Sequence, residues 1–348
     1  MVISSAVPSR RARRGAGGIT LSDVARLAGV APITASRALN TPNQVSPETL
    51  ARVRDAVSRT GYIPNRVAGG LASARSGLVA AVVPTIAGPV FMEMVQSLTT
   101  WLAARGYQLM LGQSAYTQSR EDALLDAVIG RRPDGIVLTG IMHSAEGRRR
   151  LLASGIPIVE TWDLTPTPID MLVGFSHVQA GAAVAQYLKT KGRRRVAVVS
   201  GDDERAQRRT RGFAEEAVRQ GLITHVSQLL VKQTPAPTTL GSGRSGLAAL
   251  LAESPELDAV VCSSDLLALG VLTEAAARGI DVPGQLGVIG FGDLAFAADT
   301  HPSLTTVRID GTGIGKQAAH FIVERAEGRE VVDKVVDLGF QIIERGSC

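Results

Sequence analysis

Arginine carries most of the chemistry on offer near the start of this 348-residue chain. Residues 1–76 hold eleven Arg, no Lys and three acids (Asp23, Glu48, Asp55), a net +8. The whole chain is +5, so everything after residue 76 is about −3. A basic headpiece on a slightly acidic body is the electrostatic footprint of a nucleic-acid binder. Arg suits that task because its planar fork grips a phosphate or a guanine edge through two N–H groups at once. A G+C-rich genome would explain Arg in place of Lys, but not the asymmetry along the chain.

Covalent, metal and nucleotide chemistry find no comparable grouping. Gly241-Ser-Gly-Arg-Ser-Gly246 fits a dinucleotide fingerprint literally, but Pro235-Ala-Pro237 separates it from the preceding strand, so it reads as a helix-entry turn. Gly311-Thr-Gly-Ile-Gly-Lys316 fails as a phosphate loop, with Asp310 where Gly is needed and Gln317 where Ser or Thr is needed. No Gly-x-Ser-x-Gly elbow is present. His143, His177, His225, His301 and His320 lack metal-ligand spacing and read as surface or hydrogen-bonded residues; His177, beside the expected cleft, is the exception. Cys262 and Cys348 form no disulfide framework or zinc pattern, and Cys262 reads as a small buried hydrophobe. No metal and no cofactor are expected.

The elements that carry the arginines are legible. Leu21, Val24, Ala25 and Ala28 recur at helical spacing, Gly29 permits a tight turn, Val30 plugs it, and Ile33 to Leu39 form a second short helix. Two helices joined by a short glycine-containing turn fit a helix-turn-helix, and by spacing alone an ordinary helical hairpin as well. Residues 1–18, with Arg10, Arg11, Arg13 and Arg14 and no apolar segment after them, read as a flexible basic tail and not a signal peptide. No stretch approaches the roughly 18 apolar residues of a membrane span. The expectation is a cytoplasmic protein of about two to three domains.

From Gly77 onward, short apolar runs alternate with amphipathic stretches. The expected strands are 78–84, 108–112, 135–139, 157–160, 171–175, 195–200, 259–263, 287–291 and 305–309. Helices are expected over 90–104, 120–129, 180–188 and 265–277. Strands buried on both faces and separated by helices imply right-handed βαβ units. There are too many for one compact sheet, so the fold class is α/β with two doubly wound, parallel-sheet lobes. Ligands of such folds sit outside the carboxyl ends of the strands. That rule selects residues 85–91, 113–116, 160–163, 176–177, 202–209, 264–265 and 292–293.

Thr20-Leu-x-Asp-Val-Ala, Ala28-Gly-Val, Ser36-Arg-x-x-Asn40, Val45-Ser and Tyr62-Ile-Pro-Asn-Arg-Val-Ala-x-x-Leu-Ala72 resemble the headpiece of the lactose-repressor (LacI-type) family of bacterial transcription regulators. The resemblance implies a headpiece over 19–63, a hinge over 64–76 and a periplasmic-binding-protein-like effector domain over 77–348. Its first lobe would span about 77–175 and 311–338, its second about 176–310 and the tail. It also implies a homodimer or tetramer bound to pseudo-palindromic double-stranded operator DNA, with no membrane partner. The base-reading helix would start near Ala31, with Pro32 in its first turn. Pro32 and Ile33 occupy variable reading positions but can only touch thymine methyls. Arg37 falls where a guanine reader is expected, and Thr34, Ser36, Asn40 and Gln44 where phosphates or nearby base edges are held. Thr20, Leu21 and Tyr62 complete the implied contact surface. Asn65 opens the implied hinge helix, and Leu71 takes the place of a minor-groove wedge. Gly69-Gly70 departs from the pattern and weakens a helix there, so the hinge is expected to order only on DNA.

In the body, Arg209-Thr-Arg-Gly-Phe213 matches the family's sugar-gripping Arg-x-x-Gly-aromatic pattern. Ser264-Asp265 is a partial match to an Asn-Asp pair, and Asp293 is what remains of an Asp-Asp pair. Gln113, Tyr116, Glu160, Trp162 and Asp163 complete the expected effector pocket. Val159-Glu-x-x-Asp163, Val173-Gly-Phe175, Gly106-Tyr-Gln108, Cys262-x-x-Asp265 and Asp337-Leu-Gly-Phe340 are similar to the gluconate-utilisation branch. The expectation is a repressor controlled by a sugar or sugar acid, with gluconate foremost and Arg209 on its carboxylate. A competing arrangement pairs Arg209 with Asp163 or Asp265 as an interlobe salt bridge. A solute-binding protein and a sugar-acid enzyme are the alternative functions, opposed by the headpiece and by the missing catalytic groups.

Overall fold

The computed structural model describes residues 19–63, 75–86, 88–141 and 143–348, and the chain divides into two compact units between Ala74 and Arg75. The basic tail, Asn65 and Leu71 lie outside the described residues.

The first unit holds α1 (Leu21–Ala28), α2 (Pro32–Asn40) and α3 (Pro47–Thr60). Thr20 and Asp23 form a reciprocal capping box at the start of α1, the Asp23 carboxylate accepting the Thr20 N–H at 3.0 Å. Gly29 ends the helix at φ +63°, the left-handed conformation that a residue with a Cβ resists. Ser46 caps α3 through the Thr49 N–H. The core is small: Val24, Ala25, Ala28, Ala35, Ala38, Val53 and Ala56, with Val30 and Tyr62 packed against it. Alanines at these positions let three short helices approach closely enough to exclude water.

The second unit contains two six-stranded sheets. The first has the order β11-β5-β4-β3-β1-β2, built from β1 (Leu78–Val83), β2 (Gln108–Gln113), β3 (Gly135–Thr139), β4 (Ile158–Thr161), β5 (Met171–Gly174) and, from far along the chain, β11 (Val335–Asp337). Helices α4 (Met92–Ala103), α5 (Gln118–Ile129) and α6 (Ala145–Ser154) connect its early strands. The second has the order β12-β10-β9-β8-β6-β7. Its strands are β6 (Val196–Gly201), β7 (Leu230–Thr234), β8 (Ala259–Cys262), β9 (Gly287–Gly292), β10 (Thr305–Arg308) and β12 (Gln341–Ile343). Helices α7 (His177–Thr190), α8 (Glu204–Arg219), α9 (Leu240–Glu253) and α10 (Asp265–Ala277) belong to it, while α11 (Gly311–Ala326) returns to pack on α4.

All nine expected strands form, with ends shifted by at most one residue. Every pairing is parallel except β10 with β12, which is antiparallel. β7, β11 and β12 are additions to the expected set. All three lie on sheet edges and contain no fully buried residue, so they lack the unbroken apolar run that marks β1 (LVAAVV) or β3 (GIVLT). The chain passes between lobes three times, after β5, after β10 and between β11 and β12. Among the described residues no helix is long and apolar enough to cross a membrane.

Candidate functional site

The pattern Arg209-x-x-Gly212-Phe213 has a packing reason. A Cβ on Gly212 would stand 2.1 Å from the Val178 carbonyl oxygen, and one on Gly181 would stand 2.0 Å from the Arg209 carbonyl oxygen. The two glycines therefore let α7 and α8 meet backbone to backbone, with Phe213 buried beneath. That contact carries His177, at the first turn of α7, and Arg209 of α8 to the same place at the carboxyl edge of the sheet.

They meet in a cleft between the lobes. Phe91, Tyr116 and Trp162 supply aromatic walls from the first lobe, and Phe291 supplies one from the second. Thr238, Ser263 and Ser264 add polar groups, the Thr238 and Ser264 hydroxyls lying 2.9 Å apart. Tyr116 (φ +60°) and Trp162 (φ +67°) hold left-handed backbone conformations costly for bulky residues, and such strain concentrates at functional sites.

The charged lining consists of Arg205, Arg209 and a single carboxylate, Asp203. Arg209 donates through Nη2 to the Ser263 carbonyl at 2.9 Å and through Nη1 to His177 Nδ1 at 3.0 Å. Its guanidinium lies over the Phe291 ring, 3.9 Å from the centroid. Among the described residues no carboxylate stands within ion-pair distance of it, and its buried Nε has no hydrogen-bond partner. Burial lowers its pKa to about 10, which still leaves it charged at neutral pH. Arg205 is buried, donates to the Thr139 carbonyl of the opposite lobe at 3.3 Å, and stacks over Phe91. Asp203 caps α8 through the Ala206 N–H and lies 3.8 Å from Arg205.

Of the residues expected in the pocket, Tyr116, Trp162, Arg209 and Ser264 line the cleft. Five others require correction. Gln113 ends β2 on an exposed edge outside the cleft lining. Glu160 is fully buried, accepting the Ile169 N–H at 2.6 Å and facing His143 at 3.3 Å. Asp163 pairs with Arg208 at 2.9 Å, so it ties the lobes together beside the cleft without pairing with Arg209. Asp265, 0% exposed, accepts the Thr306 hydroxyl at 2.6 Å and the Leu294 N–H at 2.7 Å; burial lifts its pKa to about 6. Asp293 is held between Arg308 at 2.5 Å and Arg345 at 2.7 Å on a different wall. Each of these acids already has partners, because carboxylates at strand ends are the nearest acceptors for neighbouring loops.

Arg205, Asp203 and His177 fell within the segments selected by the strand-end rule but carried no family match. Thr238 was invisible because it follows β7, whose strand character the sequence conceals.

In the headpiece, Ala31, Pro32, Ile33, Arg37, Asn40 and Gln44 are exposed, with Ile33 61% exposed, and Thr34 and Ser36 half-buried. The Asn40 amide donates to the Ser36 hydroxyl at 3.2 Å. Among the described residues Arg37, Arg52 and Arg54 have no acidic partner, whereas Arg26 and Arg59 pair with Asp23 and Asp55. Thr20 is engaged in its cap, and Leu21 and Tyr62 pack against the small core.

A three-helix unit with exposed arginines that lack acidic partners among the described residues, and a two-lobed domain with an aromatic-walled, arginine-bearing cleft, together fit a DNA-binding regulator with a small-molecule pocket. Residues 20–65 match the bacterial regulatory proteins of the lacI family, and residues 185–348 match the periplasmic binding protein-like domain. The chain is 38% identical over 335 residues to the HTH-type transcriptional regulator GntR of Pseudomonas aeruginosa, covering 96% of this chain and 97% of that one. It is 30% identical to the regulator of the same name from Escherichia coli K12, over 94% and 98% of the two chains. A LacI-family transcriptional regulator from Silicibacter pomeroyi, of known crystal structure, superposes with a TM-score of 0.87 at 33% identity, covering 94% of this chain and 99% of that chain. The chain belongs to the LacI family: it is a DNA-binding transcriptional regulator and not an enzyme.

Proposed function

We propose that the protein is a cytoplasmic, homodimeric repressor whose operator affinity is set by a sugar acid, with gluconate the first candidate. The observation that carries the acid assignment is Arg209: a guanidinium deep in a cleft, held only by neutral acceptors, with a free buried Nε. A buried cation with no directly bonded carboxylate is costly, and a ligand carboxylate bonded to it relieves that cost. The competing salt bridge loses its support, because Asp163 and Asp265 have other partners. Tyr116 and Trp162 can cover a sugar face, and the Thr238, Ser263 and Ser264 side chains suit polyol hydroxyls. The motifs similar to the gluconate-utilisation branch and the likeness to regulators named GntR point the same way. Operator reading is assigned to the α2 surface around Arg37, and coupling to residues 64–76.

Calorimetry of gluconate and glucose on the protein and on Arg209→Gln tests the reading. Gluconate is expected to bind more tightly than glucose, and Arg209→Gln to lose about 1.5–3 kcal/mol of gluconate affinity alone. Equal affinity for glucose, or unchanged gluconate binding by the variant, overturns the acid assignment.

A further inference from the structure

We propose that His177 is the positioning residue of the acid site: its bare Nδ1 aims the Arg209 guanidinium and, being neutral, leaves that guanidinium's charge available to select an anionic ligand. The inference rests on the acid reading of the cleft and names the group that makes the acid preference possible.

The tautomer follows from the partner. Arg is a donor only, so the ring nitrogen 3.0 Å from Nη1 accepts and carries no proton. The proton of the neutral ring is then on Nε2, which is buried and has no hydrogen-bond partner among the described residues. The Ser263 carbonyl fixes the other arm of the fork at 2.9 Å, so both arms are pinned while Nε stays free. The imidazole is itself closely packed. It is 1% exposed and packs edge-on against Phe175 with ring centroids 4.5 Å apart. Phe291, which underlies the guanidinium, also flanks the imidazole at 6.1 Å.

The stronger influences on the ring keep it uncharged, outweighing the Trp162 backbone, which favours the proton. His177 follows the N-cap Ser176, at the positive end of the α7 dipole. Burial and the facing cations Arg209, Arg205 and Arg208 of α8 hold its pKa well below the ordinary value. A carboxylate in its place would pin Arg209 equally well but would cancel the charge. A neutral acceptor orients the fork and cancels nothing.

The test compares gluconate and glucose binding by calorimetry on His177→Leu, His177→Asn and His177→Glu. His177→Leu, lacking the acceptor, is expected to lose about tenfold or more in gluconate affinity, the scale of a hydrogen bond to a charged group. His177→Asn, whose amide oxygen falls near the place of Nδ1, is expected to stay within about threefold of the unaltered protein. His177→Glu is expected to abolish the preference for gluconate over glucose. Gluconate binding unchanged in His177→Leu, or lost equally in the Leu and Asn variants, overturns the proposal. Nitrogen NMR of the imidazole in the unaltered protein gives a readout independent of ligand and of variant folding. Nε2 is expected to carry the proton from about pH 8 down to about pH 6, and a proton on Nδ1 refutes the pairing. If Arg209→Gln binds gluconate normally, the acid reading falls by itself, and the tautomer still decides whether His177 holds Arg209.

Discussion

In the headpiece, Arg37, Asn40 and Gln44 stand exposed on a scaffold held together by caps and a handful of alanines. Around the interlobe cleft, the acids Glu160, Asp163, Asp265 and Asp293 are each taken up by a neighbouring N–H, hydroxyl or cation. The contrast separates two ways of carrying function. On the headpiece, a side chain's role depends on what arrives from outside, so stability and binding are controlled by different residues. Around the cleft, a carboxylate at the right position becomes part of the framework, and selectivity passes to Arg209, which has no ion-pair partner among the described residues.

If that division holds, the largest effect belongs to a framework acid. Asp265→Ala leaves the Thr306 hydroxyl and the Leu294 N–H without their acceptor, and is expected to cost about 2–4 kcal/mol in urea denaturation. A mere ligand contact would leave the denaturation midpoint unmoved. The buried histidines give a second, pH-dependent test. Burial opposes the charge on His143, but Glu121 at 2.6 Å and Glu160 outweigh it and hold its pKa up at about 9. Its contribution is fully present below about pH 6.5 and disappears as pH rises through about 9, to the extent of about 3 kcal/mol at most. His177 is shifted the other way: the unfolded chain takes up its proton first, so stability falls as pH drops below about 6.5. Denaturation across pH should show both limbs. His143→Gln should flatten the alkaline one alone, and a single limb shared by both residues would contradict their opposite environments.

Smaller effects are expected at the headpiece. Arg37→Ala should cost about 1–3 kcal/mol of operator affinity, relax preference at one symmetric G·C pair, and leave the melting temperature unchanged. An equal loss on random DNA would make Arg37 a phosphate contact. Thr20→Ala removes half of the capping box and should cost about 1 kcal/mol of headpiece stability, measurable by thermal melting of the far-ultraviolet helical signal.

The same contrast governs what could be read from the chain. The α1 and α2 pattern is local, with Gly29 and the alanine spacing sufficing because each contact lies within a few residues of its cause. Strands β1, β3 and β6 were legible because both of their faces are covered. The edges β7, β11 and β12 were not, because their side chains are divided between core and water. In the cleft, position was legible and partnership was not. Asp163 and Asp265 stand at strand ends as expected, but Arg208 and Thr306, 45 and 41 residues further on, decide what they do. Arg209 was found through its glycine and aromatic neighbours. His177 stood beside the cleft in the sequence, yet its pairing depends on how α8 docks on α7.

That docking has a consequence for inheritance. Gly181 and Gly212 line no part of the large cleft where the two lobes meet, yet the smallest possible side chain at either would push a helix backbone away from its neighbour. Alleles altered there should behave as deaf regulators, still recognising their operator while ignoring the metabolite. A genetic screen for unresponsive strains would then map these two codons beside those of Arg209 and His177.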